Sequence, residues 1–453
     1  MRKLLLLVVF TGSLFGQADE QSPSTVALSL AEAQTYAVAN SYLVVDKQLE
    51  IDKAKQTIRK TASVYLPKVS AQYSVTNNPI IQPFAIPNDP TSPFYNPGNT
   101  GEFSYLAFGA AYQNQAVISA NWLIGDLSNI LATKGSRALK EIRQLEKEDV
   151  EIDVKANVAK AYYQVLIAEE SERILQENLK SLQDNLTEVG ELYKNGFSEE
   201  QDVQQLELLV SGLQNNLNNV GRQVVLANQL LKFHMGMPLE QEVKLTGTLE
   251  GFKDDAIGSA ASYYGDNIKT ADNVAQRTID AQYRASILQY KNEWYKNFPT
   301  LSFSANYSNT YFTNDFDPIN FNTYWAPGAS IVGTLKWDLF TGLSRQSTIN
   351  TAKLDIERAK VAQKATTSQV QLEFEQARSN YEYALDNYNN QLKNVDLSKS
   401  IRNKTRVKYK EGISSSLELT QAENQYLDSQ QNYLTALQNL LNAKEEILLA
   451  IGK

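Results

Sequence analysis

Strict alternation of apolar and polar residues marks four stretches of the chain. In Leu301-Ser302-Phe303-Ser304-Ala305-Asn306-Tyr307-Ser308 the odd positions are apolar or aromatic and the even ones small and polar. The same period of two runs through Val69, Ala71, Tyr73 and Val75, through Ile118, Ala120, Trp122 and Ile124, and through Ile331, Gly333, Leu335, Trp337 and Leu339. Successive side chains of a strand point to opposite faces, so the pattern predicts strands at about 68–77, 112–124, 300–312 and 329–340, each with one apolar face. Alternation fits a lipid-crossing barrel strand and a half-buried strand of a soluble sheet equally well. A second period appears elsewhere: Leu206, Leu209, Leu213, Leu217, Val220, Val224, Ala227 and Leu231 step by three or four, as do Leu427, Leu434, Leu437 and Leu441. That spacing predicts helices with coiled-coil seams.

Proline placement sets the helix lengths. Residues 98–237 and 328–453 contain no proline, so helices there can run uninterrupted. From Ser128 to Tyr193 the chain is rich in Ala, Leu, Glu, Lys and Gln, and 66 residues in one helix would reach about 100 Å. Helical hairpins are therefore expected at 128–235 and 344–451. Ser29-Leu30-Ala31-Glu32 has the capping-box pattern that opens a helix, and Pro67 and Pro299 mark where the leading helix of each half must have ended.

The halves answer one another. Leu192-Tyr193-Lys194-Asn195-Gly196-Phe197-Ser198 recurs as Lys408-Tyr409-Lys410-Glu411-Gly412-Ile413-Ser414, and both Gly196 to Gly412 and Leu127 to Leu343 are displacements of 216. Leu66-Pro67 answers Phe298-Pro299 at 232, which leaves 17 extra residues before Trp122 relative to Trp337, where prolines cluster between Pro79 and Pro97. The chain thus reads as a unit of helix, strand, loop, strand, long helix, turn and helix, used at 25–237 and again at 267–453, with a glycine-containing joint at 238–266.

Composition narrows the chemistry. There are no cysteines and His234 is the single histidine, so thiol nucleophiles, disulfides, Cys-based zinc sites and His-based acid–base catalysis are set aside. The formal net charge of -8 argues against nucleic acid as a partner. Met1-Arg2-Lys3, the apolar run Leu4 to Phe10 and the small residues near Gly16 read as a secretory signal peptide over 1–17. Beyond it no stretch of 18 mainly apolar residues occurs, so any membrane crossing falls to strands.

The ordered set, present twice, resembles the TolC-like outer-membrane efflux proteins of Gram-negative bacteria: Leu66-Pro67 or Phe298-Pro299 before an alternating strand, a Trp-bearing second strand, Gly125-Asp126 or Thr341-Gly342 leading into a very long helix, and Tyr193-x-x-Gly196-x-Ser198 or Tyr409-x-x-Gly412-x-Ser414 at the hairpin turn. The resemblance implies a mainly α fold with a transmembrane β part, in which a homotrimer forms a 12-stranded outer-membrane β-barrel continued by a coiled-coil α-helical barrel in the periplasm. It implies a passive exit duct, with no enzyme activity and no cofactor, for a tripartite efflux pump or type I secretion system. The implied partners are outer-membrane lipid, a periplasmic adaptor and, through it, an inner-membrane transporter of the RND or ABC type.

Residue by residue, the resemblance makes Tyr193, Gly196, Ser198, Tyr409, Gly412 and Ser414 the hairpin tips where the adaptor docks, and Asp202 and Glu418, each six residues past a tip glycine, an acidic ring at the periplasmic entrance. Gln421 stands where a second acidic ring is expected. Local physics offers its own reason for the turn residues: Gly196 and Gly412 suit positive φ, and Ser198 and Ser414 suit helix N-caps. Tyr162, Tyr163, Tyr381, Tyr383 and Tyr388 are expected to pack between helices. Two other classes stay open: a periplasmic coiled-coil adaptor, which would carry one such hairpin flanked by compact β domains, and a helical hydrolase, for which no clustered nucleophile is present.

Overall fold

The four alternating stretches are strands, and long helices follow the second and the fourth. A computed structural model describes residues 26–259 and 270–452; the expected signal peptide and part of the expected joint at 238–266 lie outside the described residues. The elements are β1 (Val26–Leu28), α1 (Leu30–Asn40), α2 (Tyr42–Ala62), β2 (Lys68–Asn77), β3 (Pro83–Pro87), β4 (Phe103–Ala107), β5 (Tyr112–Gly125), α3 (Leu127–Lys194), α4 (Glu200–Met235), β6 (Val243–Leu245), α5 (Leu249–Gly258), α6 (Val274–Tyr295), β7 (Thr300–Thr313), β8 (Ala326–Lys336), α7 (Ser344–Lys410) and α8 (Ser416–Ala450). Helices α3 and α7 are 68 and 67 residues long without a break. The described chain divides into two compact units.

The first unit, Gln48–Glu146 with Val274–Ser368, holds a four-stranded antiparallel sheet in the order β2-β5-β7-β8. Its register places the apolar positions of all four strands on one face. Ala71 lies opposite Ile118, Ile118 opposite Tyr307, and Tyr307 opposite Ala329; Trp122 lies opposite Phe303 and Phe303 opposite Gly333. The other face carries Ser70, Ser119, Asn306 and Ser330 in one cross-strand row. In a half-buried soluble sheet the apolar face would be covered. Here it is open, with Val69 70%, Leu335 68% and Ile331 83% exposed. Leaving a Val, Leu or Ile in water rather than buried costs about 1.5–3 kcal/mol each, and a handful equals the whole stability of a domain. This face therefore demands an apolar environment.

Two details differ from the alternation. The fourth strand occupies 326–336 rather than 329–340, because its partner β7 begins at Thr300, which pairs with Lys336, and beyond that point no neighbour accepts its hydrogen bonds. The 17 extra residues of the first half lie in a region that includes a second small sheet, β3 paired with β4, which the proline cluster conceals because proline is rare in paired strands. Its connecting loop is stitched by side chains: Asn88 Nδ2 donates to Asn99 O at 2.6 Å and Ser104 Oγ donates to Asn88 Oδ1 at 3.0 Å.

The second unit, of which 26–47, 147–259, 270–273 and 369–452 are described, is mainly helical. Ser29 opens α1 with the full capping box: its hydroxyl accepts from the Glu32 N–H while the Glu32 carboxylate accepts from the Ser29 N–H at 2.8 Å. Tyr162 and Tyr163 of α3 are fully buried. The Tyr162 hydroxyl donates to Leu28 O at 3.0 Å and accepts from the Gly247 N–H at 2.9 Å, which ties the parallel β1–β6 pair to the helix. Tyr163 donates to the buried Glu445 of α8 at 2.8 Å, and Phe252 of α5 meets both rings edge-on. Tyr381 and Tyr388 are buried as expected, whereas Tyr383 is exposed. On α7 the buried seam Val370, Phe374, Ala377, Tyr381, Ala384 and Tyr388 steps by four and three, and Leu372, Tyr383 and Leu397 form a second, exposed stripe on the opposite side of the helix. Helix α4 repeats the arrangement, with Leu206, Leu213, Val220, Ala227 and Leu231 buried and Leu208, Leu226 and Phe233 exposed.

Helix α4 ends at Gly236, whose φ of 71° and close approach to the α1–α2 break leave no room for a side chain: a Cβ there would lie 2.3 Å from Asn40 O. The tip Gly196 shares the positive φ, but a Cβ there meets nothing. Gly196→Ala should therefore cost only left-handed strain, about 1–2 kcal/mol, while Gly236→Ala must also displace backbone. Thermal unfolding in detergent should show a clearly larger drop in Tm for Gly236→Ala than for Gly196→Ala.

Candidate functional site: the paired helical turns

Each long helix of the second unit ends in the same turn. At the end of α3 the Gly196 N–H donates to Tyr193 O and the Phe197 N–H to Leu192 O, both at 2.9 Å; at the end of α7 the Gly412 N–H donates to Tyr409 O at 3.0 Å and the Ile413 N–H to Lys408 O at 2.8 Å. Gly196 and Gly412 have φ of 75° and 71°, as expected. The N-caps sit one residue later than expected. Glu199 caps α4 and Ser415 caps α8, where its hydroxyl accepts from the Glu418 N–H at 3.3 Å, because the six-residue spacing places both acids at the third helical position.

The two acids thus have a local task. The Asp202 carboxylate accepts from the Glu199 N–H at 3.2 Å and from the Ser198 hydroxyl at 2.8 Å, closing a capping box. Glu418 accepts from the Ser414 hydroxyl. Ser198 and Ser414 are therefore donors to the capping acid rather than caps themselves.

The structure brings the two turns together. Gly196, Ser198 and Asp202 from one, and Tyr409, Gly412 and Ser414 from the other, line a common cavity of about 1010 Å³. Tyr193 and Glu418 are outside its lining and exposed. Ser416 of α8 acts on the Asp202 carboxylate of α4, and Ser198 on the Tyr409 phenol, closely enough to influence their titration. Further up, Lys410 pairs with Glu188 at 2.8 Å and Arg406 donates to Ser181 at 3.3 Å. Burial alone would raise the Asp202 carboxyl, but the Ser416 and Ser198 hydroxyls and the Glu199 N–H outweigh it and hold the group below its ordinary value of 3.8. Burial, with the Asp202 charge added, raises the Tyr409 phenol against the opposing effect of Ser198.

Three residues of this region are not singled out by sequence reasoning. Phe197 and Ile413, directly after the tip glycines, are 81% and 75% exposed, so each turn presents a large apolar side chain; the sequence signal is a hydrophobic residue at the same place in both copies. The third is Glu423, buried on α8 two residues past Gln421. Burial raises its carboxyl, countered by Arg402 and Arg406 of α7, and Arg402 also stacks 4.1 Å over the Tyr426 ring. His234 is partly buried, and burial lowers its imidazole. Among the described residues no three His, Cys, Asp or Glu side chains are grouped to hold a metal.

A family described as Outer membrane efflux protein matches residues 35–237 and 268–453. No curated protein matches the sequence. Among solved structures the fold is similar to the Campylobacter jejuni CmeC outer membrane channel (16% identity, 93% of this chain and 85% of that one, TM-score 0.68) and to the outer membrane protein VceC of Vibrio cholerae (13%, 93% and 96%, 0.66). It is also similar to the open state of the Neisseria gonorrhoeae MtrE outer membrane channel (14%, 93% and 88%, 0.66).

Because the Asp202 carboxyl titrates lower in the folded chain than in the unfolded one, its contribution is complete above the ordinary carboxylate value and disappears as pH falls through the lower folded value. Asp202→Asn should lower Tm near neutral pH by the equivalent of about 1 kcal/mol, the usual worth of a cap. The difference from the unmodified chain should vanish in strong acid, which unfolding curves across pH would record.

Proposed function

Since the chain belongs to the outer membrane efflux protein family, we propose that three copies of it enclose a 12-stranded barrel in the outer membrane, continued by a helical barrel in the periplasm, as the passive exit duct of a tripartite efflux pump or type I secretion system. The outer membrane, with extension into the periplasm, is its location. The observation that carries the assembly is the sheet: four strands, an open apolar face, and unpaired edges at β2 and β8. Unpaired backbone groups cannot stay in lipid, so a spanning sheet must close on itself. Four strands are too few to do so, whereas three sheets in a ring give twelve, enough to leave a lumen. An even number of antiparallel strands also makes β8 of one copy run antiparallel to β2 of the next, and their lengths of 11 and 10 residues match. The exposed stripes on α4 and α7 support self-association of the helical part, since a helix apolar on two opposite sides has to be covered on both.

The two units of the sequence, 25–237 and 267–453, are in this reading tandem structural repeats behind a cleaved signal peptide, with 238–266 as the joint between them. The polar face, with Ser302, Ser304, Asn306, Thr334 and Lys336, wets the lumen; Leu301, Phe303, Tyr307 and Leu335 meet lipid. The turns at Tyr193, Gly196, Ser198 and at Tyr409, Gly412, Ser414 receive the periplasmic adaptor, to which Phe197 and Ile413 offer apolar anchors, and the adaptor joins an inner-membrane transporter of the RND or ABC type. Asp202 and Glu418 add negative charge near the entrance, Glu418 as the freer of the two because it is exposed. No bond is made or broken in such a conduit, which accords with a family and structural neighbours that are channels.

Native mass spectrometry of the detergent-extracted protein should give the mass of three chains; a monomer under mild extraction ends this reading. In planar bilayers Glu418→Gln should raise single-channel conductance or reduce cation preference. Unchanged conductance and selectivity would remove Glu418 from the entrance while leaving the trimer standing.

A further inference from the structure

We propose that the connection between β8 and α7, residues 337–343, is a membrane foot: a loop, not a strand, that buries Leu339, Phe340 and Leu343 at the boundary between lipid headgroups and acyl chains on the side of the sheet from which the long helices leave. Alternation assigns Trp337 and Leu339 to a strand, yet the ladder stops at the Thr300–Lys336 pair. Past that pair the chain is still apolar and still outside: Leu339, Phe340 and Leu343 are 79%, 82% and 70% exposed.

Polar groups of the loop and its flanks are hydrogen-bonded within the protein. The Trp337 indole N–H donates to Asn297 O at 2.9 Å, and the Arg345 guanidinium donates to Asp338 O at 3.2 Å and to the Asp338 carboxylate at 3.3 Å. The Ser344 hydroxyl donates to Thr341 O at 2.8 Å. Held by these bonds, the loop exposes three large apolar side chains, Leu339, Phe340 and Leu343. Its backbone carries a cost as well, since Leu343 has φ of 66°, the one non-glycine residue with positive φ among the described residues. Glycine or asparagine would relieve that strain, and a leucine held there instead adds a third exposed apolar side chain to the loop.

The occupant is lipid because the loop continues a surface already in need of it. Ile331 and Leu335 lie on the open apolar face of the sheet, and Leu339 and Phe340, exposed as well, follow directly in the chain after its last paired residue. An amphipathic boundary is where a loop with a pinned polar base and an apolar rim is most stable. The corresponding junction of the first half is built differently. There β5 runs to Gly125, and Asp126 folds the chain directly into α3 by accepting from the Ser128 N–H at 2.9 Å and hydroxyl at 2.6 Å. A single foot per chain is the result.

The inference rests on the lipid-facing sheet proposed above, and its test separates the two. The chain has no cysteine, so Phe340→Cys, Ile331→Cys and Lys404→Cys can each carry one environment-sensitive fluorophore in the full-length protein, reconstituted in phospholipid vesicles with or without lipid spin-labelled near the headgroup. Lys404 is an exposed position on α7 and reports water. The expected result is that spin-labelled lipid quenches positions 340 and 331 about twofold or more, while iodide quenches 404 several-fold more than 340. If 331 is quenched by lipid and 340 by iodide, or 340 by neither, the foot is wrong and the barrel reading stands. If 331 is not quenched by lipid, the lipid-facing sheet fails and the foot with it.

Discussion

An exposed sheet with its apolar side outward is the constraint on which the other features depend. Water cannot accommodate Ile331, Leu335 and Val69 in the open, and lipid cannot accommodate the unpaired edges of β2 and β8. Satisfying one demand exposes the other, so a single chain has no stable resting place on its own. The proposed closure with further copies would meet both. The same logic covers the polar face: in the proposed barrel, with the apolar side committed to hydrocarbon, the serines and asparagines of the alternate positions meet water.

The helical unit solves a different problem, that of holding very long helices in register. Heptad steps on α7 and small residues such as Ala377 and Ala384 give close approach on one side. Polar cross-links then fix the axial position: Tyr163 with Glu445, Asn178 with Gln430, Ser398 with Ser429, and Lys410 with Glu188. A hydrophobic seam alone tolerates sliding by a heptad, but these pairs do not. At the turns the two hairpins share one cavity, lined by Asp202, which caps its own helix, and by Ser416 of the neighbouring hairpin.

Much of this is legible in the residues. Periods of two and of three to four, and the intervals free of proline, mark the strands and long helices almost to their ends, and the tip glycines announce their positive φ. The misses have physical reasons. Alternation carries the last strand four residues too far because it reports facing and says nothing of whether a neighbour is present; Leu339 continues the alternation, and is exposed, without being paired. Ser198 and Ser414 look like caps because serine is the common cap, although the acid three positions into the helix fixes the cap one residue later. Glu423 is hidden because a buried carboxylate on a helix looks, in sequence, like any solvated one. The β1–β6 pair leaves no signal at all, three residues on each side being too short for any period.

That short parallel pair also bears on how the chain acquires its structure. Val26 lies opposite Val243, and Leu28 opposite Leu245, so the ladder closes a loop of more than two hundred residues. Bringing such ends together costs about 5 kcal/mol of chain entropy before any contact repays it. Tyr162, which bonds both Leu28 and Gly247, can complete its contacts only when both have arrived. The hairpin of α3 and α4 can zip from its turn early, through neighbours close in sequence, and it carries Met235 back toward the start of the chain. Docking of β6 against β1 is then a late event, and β1 waits, unpaired, until more than half of the polypeptide has been delivered.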